Sequence, residues 1–470
     1  MRRVSSPSTW KGEGRPPWGC SSPRFAGHRG IKDPGSDLSH PFGPARRIVA
    51  DCRAVICRPS CLLLSVLLSG LASCSRPETA PSSPNPSGGP GRPHAPQAST
   101  PPPAVHDQLA HVRPPAPPCV DRRAPAKLLV SRAALELERG DHARALACAD
   151  EALRVSPRLG PALHIRAAAL TELGRLDEAR LAYARALSID PADPETLYGA
   201  AELYVSRLPG DRAAIELGLE YALRGARLAL RARRQDKDLV GRLLLVAATA
   251  ENDLGDSRRA LAHAERALAQ ASDEADAQYE RGVALYQLCR FDEARVALER
   301  VLALQPDDAW ALHDLALVAE ASGKAVRADD LERRAHELSP DDFPSPAEVD
   351  QEAFQQEVRR AVASLPEAER RALADVPVQV AEVPALDDLT AVDPPLSPSI
   401  LGLFRGPSER EACLPGDGPP CRSIVFYRRN LARFARSRRD LEEQVRVTLL
   451  HELGHLHGES EEDLRARGLE

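Results

Sequence analysis

Residues 160–193 read GPALHIRAAALTELGRLDEARLAYARALSIDPAD, and this stretch decides the architecture of the middle of the chain. Gly174 separates two apolar helical patterns, and Pro191 follows the second. The same marks recur along the chain. Gly140 and Gly174 are 34 residues apart, and Gly255 and Gly323 are 68 apart, twice that spacing. Pro157 and Pro191 repeat the interval of 34, as do Pro306 and Pro340. Ala145, Ala179, Ala260, Ala294 and Ala328 stand five positions after successive turn slots, and Ala152, Ala186, Ala267 and Ala335 twelve after them. A fixed period of this size marks stacked supersecondary units. Each unit is two antiparallel helices that cannot bury their apolar faces alone. Alanine lets backbones approach where helices cross, and glycine permits the turn. Proline lacks the N–H needed to continue the second helix and ends it.

In period and pattern these units resemble the tetratricopeptide repeat. Residues 160–193, 275–308 and 309–342 fit best, and 126–159 and 241–274 also fit. Residues 194–240 exceed one unit and carry Leu208-Pro209-Gly210-Asp211 where the turn belongs, so they read as an irregular repeat with an insertion. An α-helical solenoid is therefore expected over residues 126–342. The resemblance implies a groove that recruits a protein or peptide partner. Service as a rigid spacer is the other reading.

Composition agrees with this. Aromatics make up only 4% of the 470 residues, while Ala, Leu and Arg dominate the middle, which favours helix over sheet. A length of 470 allows two to four units at ~100–200 residues per domain. The net charge of -6 is mild and mixed in sign, so no nucleic-acid partner is expected. The 42 prolines cluster on the N-terminal side. Residues 75–125, with Pro-Ser-Ser-Pro-Asn-Pro-Ser and Pro101-Pro102-Pro103, cannot bury enough apolar surface to fold and read as a disordered linker.

Residues 46–74 carry Arg46, Arg47, Arg53 and Arg58, then an apolar run over 61–71, then Ala72-Ser73-Cys74. A basic segment, a short apolar core and small residues at a cleavage point describe an export signal. The run is too short to span a bilayer, which takes ~20 apolar residues. Leu71-Ala72-Ser73-Cys74 resembles the bacterial lipobox, which implies lipidation of Cys74 and a membrane-anchored lipoprotein of the bacterial cell envelope. Residues 1–45 show no periodicity and read as disordered or as a mis-assigned start, with the true start downstream, at a position such as Val49 or Val55.

Among the ten cysteines no CxxC pair occurs, which argues against a zinc ribbon. Cys413 and Cys421 bracket a Gly/Pro loop that a disulfide could close in an oxidising compartment. Two free thiols are the other possibility.

After Pro340 the period stops, and residues 343–470 read as a small α+β unit. Two short helices are expected between 354 and 374, broken at Leu365-Pro366. Strands are expected near 376–383, which alternates with period two, and at 400–405 and 423–427, each bounded by Pro or Gly. Residues 440–457 read as a helix, with Asp440 at its N-cap and Gly458 at its C-cap.

That last helix carries the chemistry. His451 and His455 are four residues apart and project from one face, one turn apart. Two imidazoles so spaced can grip one cation. Bound Zn²⁺ lowers the pKa of a ligated water to about 7. Glu452, beside His451, is the candidate general base that takes the proton and passes it to the leaving amine. The bare pattern also arises by chance in a charged, Ala/Leu-rich helix. Gly454 and Gly458 cost a helix ~1 kcal/mol each relative to Ala, so a close approach of backbone or strand to the site is expected to justify them.

His451-Glu452-Leu453-Gly454-His455-Leu456-His457-Gly458 is similar to the active helix of the minimal zincin-like metallopeptidase family of bacteria. Residues 400–406, 423–430 and 459–464 resemble its flanking segments, so the likeness covers about 348–466. It implies a zinc-dependent peptidase that needs a third protein ligand. An extended zincin motif places a His or Asp at the tenth position after the first histidine. Glu461 stands there, a departure that is still a carboxylate. Asp463 is the alternative, with His457 and Glu459 behind it. The competing reading is a non-catalytic scaffold whose zincin domain is degenerate.

Overall fold

The computed structural model describes residues 119, 124–208, 211–270, 275–345, 349–413 and 420–469. The readings made for residues 1–45, 46–74 and nearly all of 75–125 fall outside the described residues.

Twelve helices form the solenoid as six successive pairs among the described residues. They are α1 (Ala126–Glu138), α2 (His142–Val155), α3 (Gly160–Glu172), α4 (Leu176–Ile189), α5 (Pro194–Glu202) and α6 (Arg212–Arg231), followed by α7 (Lys237–Asp253), α8 (Ser257–Leu268), α9 (Ala275–Gln287), α10 (Phe291–Leu304), α11 (Ala309–Ala321) and α12 (Ala325–Leu338). The turn glycines behave as the period requires. Gly140, Gly174, Gly255 and Gly323 all have φ between 70° and 80°, where an L side chain is disfavoured. The slot at 289 keeps this conformation without a glycine, because Cys289 has φ 57°. The in-register alanines are buried at the helix crossings. Asp141, Asp193, Asp256 and Asp308 cap helix starts through their side chains.

The irregular repeat is α5 with α6. Helix α5 runs into a π-helical turn, Leu203–Arg207, and α6 extends to 20 residues. The next unit starts earlier than the period suggested at 241. Asp236 accepts from Leu239 N and starts α7 at Lys237.

The C-terminal unit contains α13 (Gln351–Ser364), α14 (Glu367–Ala372), β1 (Val378–Ala381), α15 (Leu386–Leu389), β2 (Gly402–Arg405), β3 (Ser423–Tyr427), α16 (Arg428–Phe434), α17 (Arg438–Leu456) and α18 (Glu461–Ala466). Its strands lie in the order β1-β3-β2. β3 is central and buried throughout, parallel to β1 and antiparallel to β2. Val378 pairs with Ile424, and Gly402 with Phe426. Ile424 and Phe426 share a core with Phe354, Val358, Val445, Leu449 and Leu453, which lie on α13 and α17.

Two end positions of the last long helix differ from the sequence expectation. Ser437, not Asp440, is the N-cap, accepting from Asp440 N at 3.2 Å. Asp440 accepts from Arg436 N instead, at 2.8 Å. At the other end His457 is the C-cap, and Gly458, with φ +78°, is the residue that turns the chain away.

Candidate metal centre

Helix α17 presents His451 and His455 from one face, with their Nε2 atoms 3.1 Å apart. The other ring nitrogens are engaged. His451 Nδ1 donates to the Leu469 carbonyl at 2.7 Å, and His455 Nδ1 to the Glu459 carbonyl at 3.3 Å. Each such bond puts a proton on Nδ1, so the neutral ring carries its lone pair on Nε2, the usual outer-shell arrangement of a metal-ligating histidine.

The third group comes from α18. Glu461 Oε1 lies 3.3 Å from His455 Nε2, and Oε2 lies 3.9 Å from His451 Nε2. The ligand-capable atoms of His451, His455 and Glu461 all fall within 4.8 Å of one another. Two lone pairs facing each other beside a carboxylate call for a cation between them. Two nitrogens and one carboxylate oxygen are a donor set that suits zinc with one position open. Burial pushes the Glu461 carboxyl up, but His455, and then His451, outweigh it and hold it below the usual range. Burial pushes His455 down, yet Glu461 and Glu452 raise it overall.

Local sequence explains how α18 reaches the site. Gly458 turns the backbone, and Ser460 then caps α18 in a reciprocal box with Asp463. Ser460 Oγ accepts from Asp463 N at 3.2 Å, and Asp463 Oδ2 accepts from Ser460 N at 2.9 Å. The Asp463 carboxylate is therefore spent on the cap and held at low pKa by Ser460. Gly454 supplies the clearance. A Cβ there would overlap the Leu464 side chain and sit 2.8 Å from Glu459 Oε2. The crowding at Gly454 comes from side chains and not from the backbone or strand that was expected, and Gly458 is required by its φ of +78°.

The structure thus brings Glu461 to the histidines and keeps Asp463 away. It also keeps away the two lower-ranked candidates. His457 Nδ1 meets Glu409 Oε1 at 2.9 Å and Nε2 meets Glu369 Oε2 at 2.8 Å, so both ring nitrogens are taken. The Glu459 carboxylate pairs with Arg467.

Glu452 is 5% exposed, and its side chain reaches from α17 to β2. Its Oε2 accepts from Phe404 N at 2.6 Å. Gly402 makes room, since a Cβ there would lie 2.6 Å from Thr448 Cγ2 and 3.0 Å from Glu452 Oε1. Burial raises the Glu452 pKa, against the opposing pull of His451, His455 and the Phe404 N–H. Three partners of the site escaped the sequence reading: Leu469 O, Glu459 O and Phe404 N. All are backbone groups without a residue signature. A glycine inside a strand, Gly402, was the available hint of close approach.

Cys413 and Cys421 are joined, with Cα atoms 6.1 Å apart. Cys119 and Cys148, which the sequence reading did not single out, are joined as well, at 4.9 Å between Cα atoms.

Comparison with known families agrees with this layout. Residues 373–469 match the model of the zincin-like metallopeptidase family. Residues 245–309 match a tetratricopeptide repeat model, and 167–206 a TPR repeat model. The chain therefore carries tetratricopeptide repeats followed by a zincin-like domain. No curated protein matches it. Among solved structures, the chain is similar to PilW, described as a widely conserved type IV pilus biogenesis factor, at 19% identity and TM-score 0.40, covering 46% of this chain and 96% of that one. It is also similar to Pseudomonas aeruginosa pilF, at 15% identity and TM-score 0.40, covering 49% of this chain and 97% of that one. YrrB, described as a TPR protein with an unusual peptide-binding site, matches at 19% identity and TM-score 0.33, covering 41% of this chain and 93% of that one.

Proposed function

We propose that this chain is a zinc-dependent metallopeptidase that hydrolyses peptide bonds, with its repeats recruiting a protein or peptide partner. The supporting observation is the convergence of His451 Nε2, His455 Nε2 and a Glu461 carboxylate oxygen within 4.8 Å. These three groups would hold the ion. Zinc, when bound, supplies a Lewis acid that polarises the scissile carbonyl and acidifies water. The chain's own groups do the rest. Glu452 Oε2 is pinned by Phe404 N–H, which leaves Oε1 to take up a proton and return it to the leaving amine. A carboxyl whose pKa is raised by burial is suited to carrying a proton in both directions.

Zinc content of the full-length protein, purified clear of chelators, tests this reading. The wild type is expected to hold one equivalent. Glu461→Ala is expected to weaken zinc binding by more than the ~10–100-fold typical of losing an outer-shell partner. Asp463→Ala should retain zinc and lose only its half of the α18 capping box. Absence of zinc from the wild type would overturn the reading, and the reverse order of the two variants would overturn the choice of ligand.

The burial of Glu452 and its bond to β2 favour a second reading, a non-catalytic scaffold that keeps the fold and serves through its repeats. Retained zinc with no hydrolysis of any peptide would support it.

We further propose export and membrane anchoring through Cys74. The Cys119–Cys148 and Cys413–Cys421 pairs support an oxidising compartment. Cys74→Ala is expected to move the protein from the membrane fraction to the soluble fraction, and unchanged fractionation would count against the anchor.

A further inference from the structure

The repeats and the zincin-like unit meet along one edge of the solenoid. Arg258 lies three residues after the turn slot at 255, and Tyr286 and Glu320 lie three residues before the slots at 289 and 323. Each meets a different point of the C-terminal unit. Arg258 pairs with Asp393, and Tyr286 OH lies 3.4 Å from Ser399 Oγ. Glu320 is 5% exposed. A carboxylate that buried is costly unless it is paired. Its cations come from α16: Arg433 Nη2 donates to both carboxylate oxygens at 3.1 Å, and Arg429 binds it too. Arg429 also pairs with Asp329, and Arg433 Nε lies 3.6 Å from Glu332.

The turn at 289 adds a second, independent observation. It is the slot where a cysteine replaces glycine at positive φ, and its thiol donates to the Leu396 carbonyl at 3.7 Å. A left-handed conformation is uncommon for such a residue, and here it coincides with the docked segment.

What is docked leads directly to the candidate site. Asn430 Nδ2, on α16 between the two arginines, donates to Pro398 O at 2.9 Å and Ile400 O at 2.7 Å. The backbone then runs through Leu401 into β2, whose Phe404 N–H holds Glu452. We infer that the turn edge of the last three repeats is a docking platform for the chain's own α16 and residues 393–400, and that this docking positions β2. Arg433 and Glu320 are positioning residues: they act on the site through Asn430 and the strand. The inference concerns the strand and holds whether or not the site hydrolyses peptide bonds.

Hydrogen exchange of the intact full-length protein, followed by mass spectrometry, tests it without passing through activity. Arg433→Glu is expected to speed exchange over residues 400–406 by about tenfold or more, while α3 and α4 exchange as in the wild type and report an intact fold. Arg433→Lys keeps the charge and should stay within about twofold of wild type. Glu320→Gln, which keeps the shape and removes the charge that Arg429 and Arg433 share, should speed exchange over the same residues. Unchanged exchange over 400–406 in Arg433→Glu would overturn the inference. So would faster exchange that extends equally to α3 and α4, because the effect would then be general destabilisation and not loss of the pair.

Discussion

Glu452→Gln should lose peptide hydrolysis by a factor on the order of 10²–10⁴, the usual contribution of a positioned general base, with zinc content unchanged. Gln keeps the shape of the side chain and an oxygen for the Phe404 N–H. It cannot accept and return a proton. Loss of zinc along with activity would mean that the substitution broke the site instead of the proton transfer, and full activity would remove Glu452 from the mechanism. The variant has a second signature in metal-free protein. Burial raises the folded-state pKa of Glu452 above its unfolded value of about 4.3. The folded state then holds a proton that the unfolded state has released. Stability is therefore full below the unfolded pKa and falls as pH rises through the folded one. Glu452→Gln removes that fall. Unfolding midpoints at pH 4 and pH 8 in chelator are expected to differ less in the variant than in the wild type.

Gly454→Val is expected to destabilise the protein and weaken zinc binding together. On an ordinary exposed helix, replacing glycine by a residue with a side chain recovers up to ~1 kcal/mol. The sign reverses here. The new Cβ would overlap Leu464, a fully buried residue of α18. Overpacking of this kind costs typically ~1–3 kcal/mol. Leu464 is fully buried, so displacing its side chain strains α18, which holds Glu461 beside the histidines, while leaving His451 and His455 on α17. Thermal unfolding and zinc titration check both effects. Wild-type zinc affinity in Gly454→Val would show that α18 does not need this clearance.

The solenoid was legible because its physics is periodic. Glycine at positive φ, alanine at each crossing and proline two residues past a helix end all repeat at 34, and local chemistry sets each of them. The departures are non-local. Helix α7 starts at Lys237 because Asp236 can cap it, which the repeat arithmetic at 241 overrides on paper but not in the fold. At 289 the backbone conformation outlasted the residue type that announces it.

In the site, His451, His455 and Glu452 follow from spacing on one helix. The choice between Glu461 and Asp463 does not, since both are carboxylates beyond a turn. It is settled by Ser460, whose cap takes Asp463 out of play. Helix α16 was hidden for a different reason. Its arginines look like a solvated charge run, and Glu320, which binds Arg429 and Arg433, lies over a hundred positions upstream of both.

Solenoids are usually modular: each unit touches only its neighbours, so whole units can be added or lost with little effect on the rest. The contacts of Arg258, Tyr286 and Glu320 take that freedom away from the C-terminal half of this one. Three consecutive turn slots face three fixed points, Asp393, Ser399 and Arg433, so this half works as a ruler with its graduations assigned. Removing one unit would bring a carboxylate to the place where a tyrosine belongs.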